Sequence, residues 1–250
     1  MFERIERLLE IETINKIKET KILLIGLGGV GGYAFESLLR TGFKEIAVID
    51  KDVFDITNLN RQIYATTKTI GTDKVEAAFK RATLIPSNTL ITRIKKELTE
   101  EDITKEFLTN YDYILDACDC VPVKIKLIEV CSREKIKLIT CMGTANKTHP
   151  EMLHIVPLKN TQSDPLAKKI RNKLSKNPKA MKSICVCSLE VPKHQALLGT
   201  ICAVPMAAGA MMSSYVINDI KKTAINHEKY LFLIYLKLYL RINFHIFPQK

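Results

Sequence analysis

Residues 21–50, KILLIGLGGVGGYAFESLLRTGFKEIAVID, decide the reading of this chain. Residues 22–25 form a continuous apolar run with the length and character of a strand buried on both faces. The run enters Gly26-Leu27-Gly28-Gly29-Val30-Gly31, a G-x-G-G-x-G turn, and then an amphipathic helix over residues 30–40. A second β-branched run, residues 46–49, ends at Asp50. Gly26 permits the tight turn, Gly28 and Gly29 let a pyrophosphate approach the backbone, and Gly31 lets the helix pack close on the strand. The N–H groups and dipole of the helix N-terminus then face the phosphates, while Asp50 stands where a carboxylate accepts hydrogen bonds from ribose hydroxyls. Strand, glycines, helix, strand and acid in that order specify a nucleotide site far better than the glycines alone.

Working outward, residues 3–18 alternate charged and apolar groups at helical spacing, which predicts a helix leading into the first strand. After Asp50 comes an irregular polar stretch over residues 51–69, holding Asp52, Asn58 and Arg61. Residues 71–84 are predicted helical, with Lys74 in the first turn. Residues 90–94 form a third strand and 100–108 a helix. A fourth strand over 113–115 runs into Asp116-Ala117-Cys118-Asp119, followed by a helix over 121–134 and a fifth strand over 138–141. Strands alternating with helices predict an α/β fold: a Rossmann-like, mostly parallel sheet with flanking helices and a smaller, irregular second half. Ligands in such sheets lie at the carboxyl ends of the strands, where the glycines, Asp50, Asp116 and Asp119 all fall. Arg61 and Lys74 sit on the connections between them.

The second half holds strand candidates at 152–156 and 184–189, and a helix over 203–222 rich in small residues. Residues 164–182 open as a helix with Asp164 at its N-cap and Pro165 at its first position. Seven Lys and Arg, including Lys168, Lys169, Arg171, Lys173 and Lys176, stand there against one acid. The whole chain of 250 residues carries 38 Lys and Arg against 27 Asp and Glu, a net charge of +11, which favours a polyanionic partner such as nucleic acid. The N-terminus has no signal-peptide core, and seven Cys with no C-x-x-C pair read as reduced thiols, so a cytoplasmic setting is expected. No zinc-ligand spacing is present. From residue 223 the tail turns aromatic and aliphatic. Lys237, Arg241 and His245 recur every four residues, one narrow polar stripe on a helix. Two cations inside this segment argue against a membrane-spanning helix and leave two readings, packing on the fold or lying in a membrane interface as a peripheral contact.

A nicotinamide dehydrogenase would share the glycines and Asp50 but has no evident need for Arg61 and Lys74 near the phosphates or for Asp119. Those groups suit chemistry at ATP. A carboxylate attacks the α-phosphorus, and pyrophosphate leaves with its charge neutralised by Arg61, Lys74 and a magnesium ion on Asp119.

The set Gly26–Gly31, Asp50, Asn58-Leu59-Asn60-Arg61-Gln62, Gly71-Thr72-Asp73-Lys74 and Asp116–Asp119 resembles the adenylating domain of the ubiquitin-activating superfamily, which includes the sulfur-carrier adenylyltransferases. The resemblance covers residues 4–145. It implies Asp50 on the ribose and Asn58, Arg61 and Lys74 on the triphosphate, with Asp52 and Asp116 in the same nucleotide site and Asp119 on magnesium. Arg7 matches an arginine that, in the family, reaches the nucleotide of the partner subunit in a homodimer. Within the superfamily, Asp164-Pro165-Leu166-Ala167 with Arg171, and Cys185-Val186-Cys187-Ser188-Leu189-Glu190, resemble segments of the tRNA threonylcarbamoyladenosine dehydratases, with Cys187 in place of an aromatic residue. That resemblance implies ATP-dependent cyclisation of the threonylcarbamoyl group beside the tRNA anticodon, through an acyl adenylate and with release of AMP. Residues 1–222 are then the adenylating domain, with 150–200 as a basic, RNA-facing insertion and 223–250 as a hydrophobic tail. Intramolecular attack needs no protein nucleophile, so Cys185 and Cys187 read as core or loop thiols. Two other readings remain open: activation of the C-terminal carboxylate of a small ubiquitin-like sulfur carrier, with sulfur-transfer partner proteins, and a non-catalytic nucleotide-binding partner.

Overall fold

The computed structural model describes residues 1–192 and 197–244, with side chains described up to residue 225 of the final helix. In chain order the elements are α1 (Glu3–Glu6), α2 (Ile11–Glu19), β1 (Lys21–Ile25), α3 (Gly31–Thr41), β2 (Glu45–Ile49), α4 (Lys74–Ala82), β3 (Leu90–Ile94) and α5 (Lys105–Leu108). They continue with β4 (Tyr113–Asp116), α6 (Val121–Glu134), β5 (Lys137–Cys141), β6 (Leu153–Pro157), α7 (Pro165–Leu174), β7 (Ile184–Ser188) and α8 (Ala203–Phe244). The seven strands form one sheet in the order β3-β2-β1-β4-β5-β7-β6, parallel except for β6 against β7. The chain winds outward from β1 to β3 and then returns to β4 on the other side of β1. The β1/β4 boundary is therefore the switch point at which a crevice opens above the strand ends.

Both faces of the sheet are covered, which explains the unbroken apolar runs. Leu24 and Val48 pack with Phe35, Leu38, Met212 and Val216 on one face. Their neighbours Leu23, Ile25, Ala47 and Ile49 pack with Val123, Leu127, Ile170 and Leu174 on the other. Period-two alternation thus feeds two cores rather than one core and solvent. Residues 150–200 contribute β6 and β7 to this sheet, so the basic helix α7 is carried by strands that extend the main core.

Three expectations need correction. The predicted helix over residues 3–18 is two helices, because α2 buries Thr13, Ile14 and Ile17 while Leu8 and Ile11 are left largely exposed. The helix over 100–108 shrinks to Lys105–Leu108. Thr104 caps it by accepting the Phe107 N–H at 3.2 Å, while the Asp102 carboxylate upstream is taken by Lys96 and the Thr99 N–H. The helix expected over 203–222 runs on without interruption to Phe244. The polar stripe of the tail lies outside the described side chains, and among the described residues no helix is long and apolar enough to cross a membrane.

Candidate active site

At the switch point Gly26 takes φ +91°, and a Cβ there would meet the Ala117 carbonyl oxygen at 2.8 Å. A Cβ on Gly31 would stand 1.8 Å from the Gly26 carbonyl oxygen. Side chains are excluded at both positions, so β1, the start of α3 and the loop after β4 are drawn together. Gly28 has no heavy atom within 4 Å of its would-be Cβ and faces open space. Above these glycines lies a cavity of about 600 Å³.

Asp50 is 8% exposed at the end of β2. Its Oδ2 accepts the Leu27 N–H at 2.6 Å and its Oδ1 the Asp52 N–H at 2.8 Å. One carboxylate thereby ties the glycine turn to the start of the next connection. Lys74, 6% exposed, is the first residue of α4. Its ammonium donates to Asp52 Oδ2 at 2.9 Å and stands 4.0 Å from Asp50 Oδ1. The ammonium is thus a buried cation held by two carboxylates on the cavity wall. Arg61 reaches the same cavity from a short turn. Its Nη1 donates to the Thr57 carbonyl oxygen at 2.7 Å and to Asn60 Oδ1 at 3.0 Å, which fixes the guanidinium. Asn58 lines the cavity while its Oδ1 accepts the Asp55 N–H at 3.2 Å. Asp119 is exposed, also lines the cavity, and makes no hydrogen bond to a described residue.

The structure thus brings Gly26, Gly28, Gly29, Asp50, Asp52, Asn58, Arg61, Lys74 and Asp119 to one cavity. Two residues expected at the nucleotide do not line the cavity: Gly31, buried at the start of α3 against the Gly26 carbonyl, and Asp116. Asp116 lies behind the wall, fully buried, and accepts hydrogen bonds from Lys124 at 2.7 Å, Thr140 at 2.6 Å and the Cys118 N–H at 3.2 Å. Burial alone would lower the Lys124 pKa, but the Asp116 charge and hydrogen bond hold it above the ordinary lysine value. The buried pair fixes the loop that carries Asp119, and Asp116 itself is not on the cavity wall. Arg7 is exposed, pairs with Glu3 and does not line this cavity.

The basic segment is confirmed as a helix, capped by Asp164 Oδ1 accepting the Ala167 N–H at 2.8 Å. Lys168, Lys169 and Lys173 project to solvent from α7, and Lys176 does so just past its end. Arg171 instead turns inward, donating to the Thr161 carbonyl oxygen at 2.8 Å. Cys185 and Cys187 are buried in β7, and burial pushes the Cys187 thiol up to about 11, far from a reactive thiolate.

Sequence reasoning missed Gln62, Lys96, Leu98, Thr144 and Thr200 as cavity residues. Lys96 and Thr144 follow the ends of β3 and β5, so the strand-end rule applied to every strand would have found them. Thr200 arrives from a distant segment, held by Asn60 Nδ2 donating to its carbonyl oxygen at 2.9 Å, and no local signal marks it.

With this fold and crevice in place, the chain matches the ThiF family over residues 3–246 and belongs to it. It is 38% identical over 175 residues to the tRNA threonylcarbamoyladenosine dehydratase of Bacillus subtilis, spanning 70% of this chain and 69% of that protein. It is 34% identical over 209 residues to the enzyme of the same name from Escherichia coli, spanning 81% and 78%. The crystal structure of the E. coli dehydratase in complex with ATP superposes with a TM-score of 0.85 at 30% identity, covering 90% of this chain and 95% of that one.

Proposed function

We propose that this chain is an ATP-dependent tRNA-modifying enzyme that dehydrates N6-threonylcarbamoyladenosine to its cyclic form. The observation that carries the reading is Lys74, buried between Asp50 and Asp52 on the wall that also holds Arg61 and the glycine turn. Asp50 binds the ribose hydroxyls of ATP, and the N-terminus of α3 receives the phosphates. The threonyl carboxylate attacks the α-phosphorus, and Arg61, Lys74 and Asn58 stabilise the charge that builds on the departing pyrophosphate. The carbamoyl group of the same side chain then attacks the acyl adenylate. The C–O bond to AMP breaks, the ring closes, and one water equivalent has been removed at the expense of one ATP. Because nucleophile and electrophile share one substituent, the second step is intramolecular and the chain needs only to orient it.

Magnesium fits the donor set. Asp119 offers a free carboxylate on the cavity wall, and this cation is commonly held by one or two carboxylates together with substrate phosphates. Bound there it would neutralise leaving-group charge. The exposed lysines of α7 contact tRNA phosphates. Arg7 serves the cavity of a second copy in a homodimer, consistent with its exposure away from its own cavity. The hydrophobic tail makes peripheral membrane contact; deletion of residues 224–250 should abolish co-sedimentation with anionic liposomes and leave turnover intact, whereas an intact chain that ignores liposomes and a truncation that unfolds would reject it.

The test of the enzyme reading is AMP release measured with modified tRNA and, separately, with a ubiquitin-like carrier protein. Release that depends on tRNA supports dehydration. Release only with the carrier, whose sulfur-transfer partners would then be sought, supports the alternative adenylyltransferase.

A further inference from the structure

A second buried ion pair lies outside the nucleotide site. Lys147, in the loop between β5 and β6, and Asp164, at the N-cap of α7, have side chains only 1% exposed, and Lys147 Nζ lies 2.6 Å from Asp164 Oδ2. The same ammonium donates to the Gly143 carbonyl oxygen at 2.6 Å. Gly143 precedes Thr144, a cavity residue, and a Cβ on Gly143 would stand 3.0 Å from Asp164 Oδ2. A single carboxylate therefore caps the basic helix with one oxygen and grips the cavity loop, through Lys147, with the other. The loop is held at two further points. Glu190, just past β7, accepts the Thr148 and His149 N–H groups at 2.9 Å. Asn146 exchanges hydrogen bonds with Gly199 at 2.7 Å, next to the cavity residue Thr200.

Buried ion pairs contribute little net stability compared with apolar residues of the same volume. What this pair sets is geometry. We infer that Lys147 and Asp164 are positioning residues that lock the start of the RNA-facing helix α7 to the Gly143–Thr144 wall of the nucleotide cavity. RNA seated on the helix is thereby held with its modified nucleoside in register with the α-phosphate. The inference rests on the tRNA reading above. It goes beyond it by assigning alignment, rather than affinity, to a pair that touches neither nucleotide nor RNA. Misplacement of reacting groups by about 1 Å costs on the order of 10²-fold in rate, so a small shift of this joint would be visible in turnover.

The test is the full-length double variant Lys147→Met with Asp164→Asn, in which Met retains the volume and Asn keeps the helix cap. Three quantities are read: ATP affinity, the salt dependence of tRNA binding, and kcat and KM for tRNA-dependent AMP release. ATP affinity and the salt slope should stay within twofold of wild type while kcat falls at least tenfold. An unchanged kcat overturns the inference. So does a loss of ATP affinity that matches the loss of turnover, because the pair would then merely shape the nucleotide wall. Should the double variant fail to fold, Glu190→Gln loosens the same loop from an incompletely buried position and should lower kcat in the same pattern; an unchanged kcat there also overturns it. Failure of the tRNA reading looks different: wild-type protein itself would release no AMP with modified tRNA, and the inference falls with it.

Discussion

The ammonium of Lys74 stands 2.9 Å from the carboxylate of Asp52, with Asp50 at 4.0 Å on its other side. The arrangement keeps a positive charge on the cavity wall paired with carboxylates, where the proposed function places the phosphates of ATP. Lys74→Ala should reduce kcat for AMP release on the order of 10²-fold or more, as loss of a charge contact to the transition state does. The fold should survive, since Asp50 keeps its two backbone donors. AMP release by this variant at the wild-type rate would remove Lys74 from the chemistry.

Two glycines of the same turn should separate folding from binding. Gly31→Ala places a Cβ 1.8 Å from the Gly26 carbonyl oxygen, so thermal unfolding should move to markedly lower temperature. Gly28→Ala meets no protein atom within 4 Å, so its melting should match wild type. Its methyl group enters the space assigned to phosphates, and ATP affinity should fall at least tenfold. Intact ATP binding in Gly28→Ala would place the phosphates elsewhere.

The exposed lysines of α7 make a quantitative claim about RNA. Neutralising Lys168, Lys169 and Lys173 together should lower the slope of log affinity against log salt by roughly 0.7–0.9 per lost phosphate contact. ATP affinity should not change. Arg171→Gln should disturb the helix more than the RNA, because that guanidinium is bound to Thr161. An unaltered salt slope in the triple variant would move the RNA surface off this helix.

Glu36 on α3 gives the acid limb of stability a source. Burial alone would raise its pKa, but hydrogen bonds and charge from Arg40 and Arg81 hold it below the ordinary glutamate value. A carboxyl depressed in the folded state contributes stability that is present above its unfolded pKa of about 4.3 and is lost as pH falls through the folded value. The melting temperature should therefore drop as pH falls below about 4, and Glu36→Gln should flatten that fall while lowering stability at neutral pH. An acid limb unchanged in Glu36→Gln would assign it to other carboxylates.

The sheet was legible because its strands are buried on both faces. Residues 22–25 and 46–49 could only be interior strands, and the glycine turn between them fixes where the chain crosses. That Arg61, Lys74 and Asp119 meet at one cavity was legible because strand ends and a superfamily pattern converge on them. Asp116 was misread for a physical reason. A carboxylate at a strand end looks the same in sequence whether it faces a ligand or a lysine eight residues on, and only the packing of α6 puts Lys124 beneath it. Thr200 and the Lys147–Asp164 joint depend on contacts between segments far apart in the chain, which no local periodicity records. The break between α1 and α2 has no local signal, because exposed Leu8 and Ile11 satisfy the same helical spacing as buried Ile14 and Ile17.

The central claim is tested most directly by mass-spectrometric analysis of the nucleosides of modified tRNA incubated with the full-length protein and ATP. N6-threonylcarbamoyladenosine should be replaced by a product lighter by one water, with one AMP formed per nucleoside converted, and Lys74→Ala should leave the nucleoside unchanged. Recovery of the starting nucleoside after incubation with folded, ATP-binding wild-type protein would contradict the account.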